Sequence, residues 1–310
     1  MIVSVVYGGK EEREASAKNA KDISEVLESL GYTVHLIEFS RDIISKLKEL
    51  RTDVVYVCVQ GKGYGDGTLQ GMLEHEGIPF TGSGMRAACL INDKILCKLL
   101  FDREGIPTPK WDILTKKQFS QGNYPFEEFG FPFVAKAPTQ GGSYGIELIR
   151  SSDDIPRIEK VFAFDDPILI ERFISGEFYT VGFYESNSRI IKLPVVKGLD
   201  LREKNTADYD LISFTGEYGI QECALPKAIM EEISQIAEKV FEVTGAQGLA
   251  RVDFMADNKE QRPYVLEINA VPGLKKSSLM PREAALAGIV YEDMIEDILK
   301  SAFQEELSNA

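Results

Sequence analysis

An α/β fold with helices covering a parallel sheet is predicted for this chain by three observations. In the first 91 residues, short β-branched runs alternate with stretches of helical spacing, the pattern of strand–helix–strand units. The runs end in glycine-rich turns at 8–9 and 61–67, where ligands of such sheets bind beyond the carboxyl ends of the strands. The chain has 310 residues, 44% of them hydrophobic, enough for two or three cored domains of about 100–200 residues each.

The first unit, 1–91, reads as a strand at 2–7, a helix at 14–30 closed by Gly31, and strands at 33–39 and 53–59. A second unit, 92–178, opens on a helix running to about Arg103. The boundary string Gly105-Ile106-Pro107-Thr108-Pro109 follows. Strands are expected at 131–137, 145–149 and 168–173, with a glycine-rich turn at 141–145 and a helix near 153–163. The third unit, 179–310, carries strands at 179–185, 189–197, 249–256 and 263–269. Its helices are expected at 226–244 and 291–304. The polar stretch 197–217 has weak periodicity, as lids over active sites often do.

A net charge of −14 disfavours a general grip on nucleic acid and implies a cytoplasmic surface. The opening MIVSVVYGG has no basic segment or cleavage site and reads as a strand, not a leader. No apolar run approaches the roughly 20 residues that span a bilayer. Cys58, Cys89, Cys97 and Cys223 form no CxxC, and with His35 and His75 as the only histidines no zinc site is expected. Buried, reduced thiols are expected.

Three clusters carry chemistry. In Ala250-Arg251-Val252-Asp253-Phe254 and Tyr264-Val265-Leu266-Glu267-Ile268-Asn269, strand alternation puts Arg251 with Asp253, and Glu267 with Asn269, on one face. Leu266 and Ile268 take the other, apolar face. Hard oxygen ligands of this kind suit Mg²⁺ bridging phosphates. The turn Val271-Pro272-Gly273 and the hydroxyls at Ser277 and Ser278 then offer donors to an anion. Lys136 ends a strand before Gln140-Gly141-Gly142-Ser143-Tyr144-Gly145, an arrangement suited to phosphate contact. Lys94 is a second candidate cation. The apolar strand ending in Glu171-Arg172-Phe173-Ile174 and the connection Ser175-Gly176-Glu177 offer a place for a purine and its ribose.

In this order, and over nearly the whole chain, these segments resemble the ATP-grasp superfamily and, within it, the D-alanine–D-alanine ligases. Gly8-Gly9-Lys10-Glu11-Glu12-Arg13-Glu14-Ala15-Ser16, Gly65-Asp66-Gly67-Thr68-Leu69-Gln70-Gly71, Ile78-Pro79-Phe80-Thr81-Gly82-Ser83-Gly84 and Asp93-Lys94 complete the match. The resemblance implies three α/β domains with ATP between the central and C-terminal ones. It implies Mg²⁺, with Mn²⁺ as a substitute, held by Asp253, Glu267 and Asn269. ATP falls to Lys94, Lys136, Glu171, Arg172, Ile174 and Glu177. Arg251 and Gly273 are implied to stabilise an oxyanion, Ser143 to act as the retained catalytic serine of the glycine turn, and Glu14 to receive the first amino group. Gln60 lies in the amino-acid pocket, and Ser278 and Leu279 hold the second carboxylate. The implied activity joins two small amino acids through an acyl phosphate, in the cytoplasm, for cell-wall peptidoglycan, in an enzyme often dimeric.

Three positions and one run depart from the family pattern: Gln60 replaces its His, Gly65 its Glu and Gly142 its first turn serine. The run Glu203-Lys204-Asn205-Thr206-Ala207-Asp208-Tyr209-Asp210 lacks its Lys-Tyr lid pair. These changes gather at the amino-acid subsites. They keep open a ligase of other amino acids in secondary metabolism and, more remotely, a nucleotide-binding regulator without turnover.

Overall fold

The computed structural model describes residues 1–200, 218–223, 225–258 and 262–303. Strands β1 (Ile2–Tyr7), β2 (Thr33–Glu38) and β3 (Val54–Val57) form the expected parallel sheet in the order β2-β1-β3. Helices α1 (Arg13–Ser29), α2 (Ile43–Glu49), α3 (Thr68–Glu76) and α4 (Met85–Asn92) accompany it. β1 and β3 are apolar on both faces because both faces are covered. Ala20, Ile23 and Leu27 of α1 pack on one side, and Ile43, Leu47, Leu69 and Leu73 on the other.

Helix α5 (Lys94–Glu104) leads into the central unit. Asp93 caps it, its carboxylate accepting the N–H groups of Ile95 and Leu96, so that Lys94 sits in the first turn. A four-stranded sheet follows, with strands β4 (Trp111–Leu114), β5 (Phe133–Lys136), β6 (Ile146–Ile149) and β7 (Ile168–Arg172) in the order β4-β7-β5-β6, all antiparallel. Short helices α6 (Lys116–Ser120) and α7 (Phe126–Phe129) flank it. The helix expected near 153–163 is a 3₁₀ helix, Ser152–Ala163, with Pro156 inside it. Proline has no N–H to complete an α-helical ladder there.

The C-terminal sheet contains β8 (Gly176–Ser186), β9 (Arg189–Lys192), β10 (Val196–Asp200), β11 (Tyr218–Glu222), β12 (Leu249–Asp257) and β13 (Pro263–Asn269). Its order is β11-β10-β8-β12-β13, with β9 paired to β8. The single strand expected over 189–197 is two, interrupted around Pro194, which cannot donate to a ladder. β8 also runs across 178 and 179, where the sequence analysis placed the start of the third unit. Helix α8 (Lys227–Thr244) packs Ile233, Ala237, Val240 and Phe241 on one face of the sheet. Helices α9 (Leu279–Leu286) and α10 (Tyr291–Ser301) cover the other. In α10, Met294, Ile295, Ile298 and Leu299 recur at helical spacing and are fully buried, each contributing about 1.5–3 kcal/mol. They join the same core as Val3, Val5 and Tyr56, so the first and last units share one apolar interior.

No helix among the described residues is long and apolar enough to cross a membrane. The four cysteines are free, but only Cys58 and Cys97 are buried; Cys89 is exposed and Cys223 half-buried, contrary to the expectation of buried thiols throughout. Cys89 lies on the outer side of α4, whose buried face is formed by Ala87, Ala88 and Ile91.

Candidate active site

A cavity of about 1090 Å³ lies where the three sheets meet. β12 and β13 form its floor. Asp253 faces Glu267 across the ladder and Arg251 faces Asn269. Asn269 donates from Nδ2 to Asp253 Oδ2 at 3.0 Å. Arg251 grips Asp253 with two parallel hydrogen bonds, Nε to Oδ1 at 2.8 Å and Nη2 to Oδ2 at 2.6 Å, and Thr180 donates to Oδ1 at 2.8 Å. The three oxygen-bearing side chains expected to share a face therefore converge. Alternation fails at one point: the register shifts between Asp253 and Phe254, a bulge that brings Leu266 to the cavity wall beside Glu267. Strict alternation predicts Leu266 on the opposite face.

Two lysines border the floor. Lys94 Nζ lies 3.2 Å from Glu267 Oε2 and donates to Gln140 O at 2.7 Å, bridging the floor to the glycine turn. Burial pushes the Glu267 carboxyl up, but Lys94 and Lys136 more than reverse this and hold it below the usual carboxylate range. Lys136 donates to Glu171 Oε1 at 2.6 Å. Glu171 is buried beneath this lysine, so its carboxylate anchors Lys136 rather than standing open to a purine. Glu171, Arg172 and Ile174 line the cavity. Glu177 does not: alternation along β8 turns Phe178 and Thr180 to the site, and Glu177 pairs instead with Lys197. The glutamate favoured for ribose is therefore on the wrong side of its strand.

The far wall comes from the first unit and from the start of α9. Gln60 Nε2 donates to Val271 O at 3.1 Å. Asn19 of α1 accepts the N–H groups of Leu274 and Lys275 at 3.2 and 3.0 Å, holding the turn that follows Gly273. Nothing in the sequence distinguishes Asn19 from an ordinary helix residue. Ser278 stands at the N-cap of α9, its own N–H donating to Lys275 O at 2.7 Å, and Leu279 begins the helix, whose first N–H groups have no intrahelical acceptor. Gly142 and Ser143 line it as well. The glycine that replaces the family's serine has φ +58°, and a Cβ there would lie 3.1 Å from Glu12 Oε1. Its absence makes room for Glu12.

Glu14 lines the cavity at its rim, where it is exposed on the first turn of α1. Glu12, two residues earlier, takes the inner position. It precedes the helix, so its side chain projects off the helix end into the cavity and against the Gly141–Gly142 turn. Burial pushes its carboxyl up to about 7, against the pull of Lys94. The signal available in sequence was its place just before the first helical residue. Lys62 Nζ meets Asp165 Oδ1 at 2.8 Å, while Asp165 Oδ2 accepts from Thr139 N and Oγ1, tying the glycine-rich loops of two units together. Lys204 and Tyr209, with the stretch 201–217, lie outside the described residues.

The arrangement has the parts for moving a phosphoryl group: acidic oxygens, lysines beside them, and donors where an oxyanion would form. A family model described as the D-ala D-ala ligase C-terminus matches residues 100–300. The D-alanine–D-alanine ligase of Carboxydothermus hydrogenoformans is 36% identical over 96% of this chain and 97% of its own length.

The chain belongs to the D-alanine–D-alanine ligase family.

The enzyme of that name from Pelotomaculum thermopropionicum is 32% identical over 97% of this chain and 96% of its own. Among solved structures, the ATP-complexed D-alanine–D-alanine ligase of Bacillus anthracis superposes with a TM-score of 0.83 at 27% identity, covering 100% of both chains. The fold is thus ATP-grasp, and the family's reaction uses ATP with Mg²⁺. The residues here fit that cation. Among the described residues no three His, Cys, Asp or Glu side chains form a metal cluster by themselves. Two carboxylates and one amide would make a partial shell of hard oxygens, which the phosphates of a nucleotide would complete.

Proposed function

We propose that this chain is an ATP- and Mg²⁺-dependent ligase that joins two molecules of D-alanine in the cytoplasm and supplies the dipeptide to cell-wall synthesis, working as a homodimer as relatives often do. The observation that carries the reading is the convergence of Asp253, Glu267 and Asn269 with Lys94 and Lys136 on one cavity. Asp253, Glu267 and Asn269 would hold Mg²⁺, which supplies charge neutralisation at the phosphates. Lys94 and Lys136 would hold the β- and γ-phosphates, and Arg172 and Ile174 the nucleoside.

Glu12 then takes the ammonium of the first amino acid, whose carboxylate oxygen attacks the γ-phosphorus in line as ADP leaves. The second amino acid lies with its carboxylate on the Ser278 hydroxyl and the Leu279 N–H. Its amine attacks the carbonyl carbon of the acyl phosphate. Arg251 and the Gly273 N–H hold the oxyanion until phosphate departs. Exclusion of water protects the acyl phosphate.

Phosphate release from ATP, followed across a panel of amino acids, tests the reading. D-Alanine-dependent release with D-alanyl-D-alanine as product is the expected result. Release only with other amino acids would move the chain to a different dipeptide, and ATP binding with no release would make it a regulator. The second reading is favoured by Gln60, which occupies the pocket wall with an amide where the family has an imidazole. Gln60→His is therefore expected to shift kcat/KM between amino acids by about tenfold. An unchanged substrate profile would remove position 60 from the pocket.

A further inference from the structure

Beneath the cavity lies a buried group that the reaction does not use. Lys98 stands one turn after Lys94 on α5, so both side chains leave the same face of the helix. Lys94 reaches the cavity, but Lys98 is only 1% exposed. Its ammonium forms an ion pair with Glu171 Oε2, hydrogen-bonds to Thr108 Oγ1 and lies 3.5 Å from Val265 O. Thr108 Oγ1 in turn donates to Val265 O at 2.8 Å. Glu171 thus carries two lysines, Lys98 on the buried side and Lys136 on the cavity side.

A buried carboxylate facing a single lysine forms a neutral pair, with little charge left to attract an anion. Two lysines on one carboxylate leave an excess of one positive charge, and only Lys136 of the two faces the cavity. We propose that Lys98 is a positioning residue of the nucleotide site: by occupying one oxygen of Glu171 it leaves Lys136 with charge to spare for the triphosphate. The claim rests on the ATP-site reading above. A purely structural Lys98 would glue α5 to β7 and β13 and leave nucleotide affinity alone.

The variants Lys98→Met and Lys98→Met/Glu171→Gln separate the two roles, with ATP·Mg²⁺ affinity read by calorimetry beside steady-state kinetics. Lys98→Met makes Lys136 and Glu171 a neutral pair. Its Kd for ATP·Mg²⁺ is expected to rise roughly tenfold or more, the loss of one charge-assisted contact, with KM for the amino acid unchanged. The double variant restores the excess charge, and its Kd should return to within about threefold of wild type. Unchanged affinity in Lys98→Met overturns the proposal, and so does a double variant as weak as the single one. Should Lys98→Met not fold, since it leaves Glu171 Oε2 buried without its ion-pair partner, the double variant decides, and weak binding there overturns the claim. A wild-type protein that binds no ATP would instead sink the ligase reading on which the claim stands.

Discussion

Replacing Glu267 with glutamine is expected to lower kcat by about 10³-fold while the protein stays folded. The carboxylate belongs to the proposed metal shell, and glutamine keeps its volume but not its charge. Glu267 is a quarter exposed, and its ion pair with Lys94 sits at the cavity edge. Lys94 also has Gln140 O as a partner, so it is not stranded by the change. The expected stability cost is therefore only about 1–2 kcal/mol. Phosphate release and thermal melting of the same preparation check both halves. Full activity in a folded variant would refute the metal assignment.

The second large effect is on stability and depends on pH. Glu283 of α9 is fully buried. Its Oε2 accepts the Gly182 N–H at 2.6 Å, and its Oε1 has no hydrogen-bond partner among the described residues. A Cβ on residue 182 would lie 2.8 Å from that carboxyl, so glycine is what lets it approach the strand. Gly182 is the register partner of Arg251, which places this acid on the same face of the sheet, beside the proposed oxyanion residue. Burial raises the carboxyl from 4.5 to about 8, with Arg251 opposing. The folded chain therefore binds this proton more tightly than the unfolded chain does. The contribution of Glu283 to stability is complete below about pH 4.5 and is lost as pH rises to about 8. Glutamine does not titrate. The stability of Glu283→Gln relative to wild type should accordingly grow by up to about 4 kcal/mol across that window. Urea unfolding of both proteins at pH 5 and pH 8 measures the difference, and a constant difference would mean that Glu283 is not held neutral. Glu12, raised to about 7, adds a dependence of the same sign to both proteins, and it cancels in the comparison.

These two residues mark how differently parts of the site could be read from sequence. Glu267 announced itself, because alternation along 264–269 and 250–254 assigns faces without knowledge of the rest of the chain. Asp93 before α5 and the apolar period of α10 were legible for the same reason, since each is a regularity within one or two turns. Where the backbone broke its period, the reading broke with it. The bulge opposite Asp253 turned Leu266 inward, and the phase of β8 exposed Phe178 to the cavity in place of Glu177.

What the sequence determined by itself was the family's order of segments, the alternation of strand and helix, and the pairing of acidic oxygens on β12 and β13. Only the tertiary structure decided that Glu12 lies deeper in the cavity than Glu14, that Glu171 is shared by Lys98 and Lys136, and that Glu283 lies close to Arg251. The physical reason is distance along the chain. Glu171 lies 35 residues from Lys136 and Glu283 lies 101 from Gly182, so no local period reports these contacts. A buried charge depends on what desolvates it and what compensates it, and both come from elements that meet only when the sheets pack together.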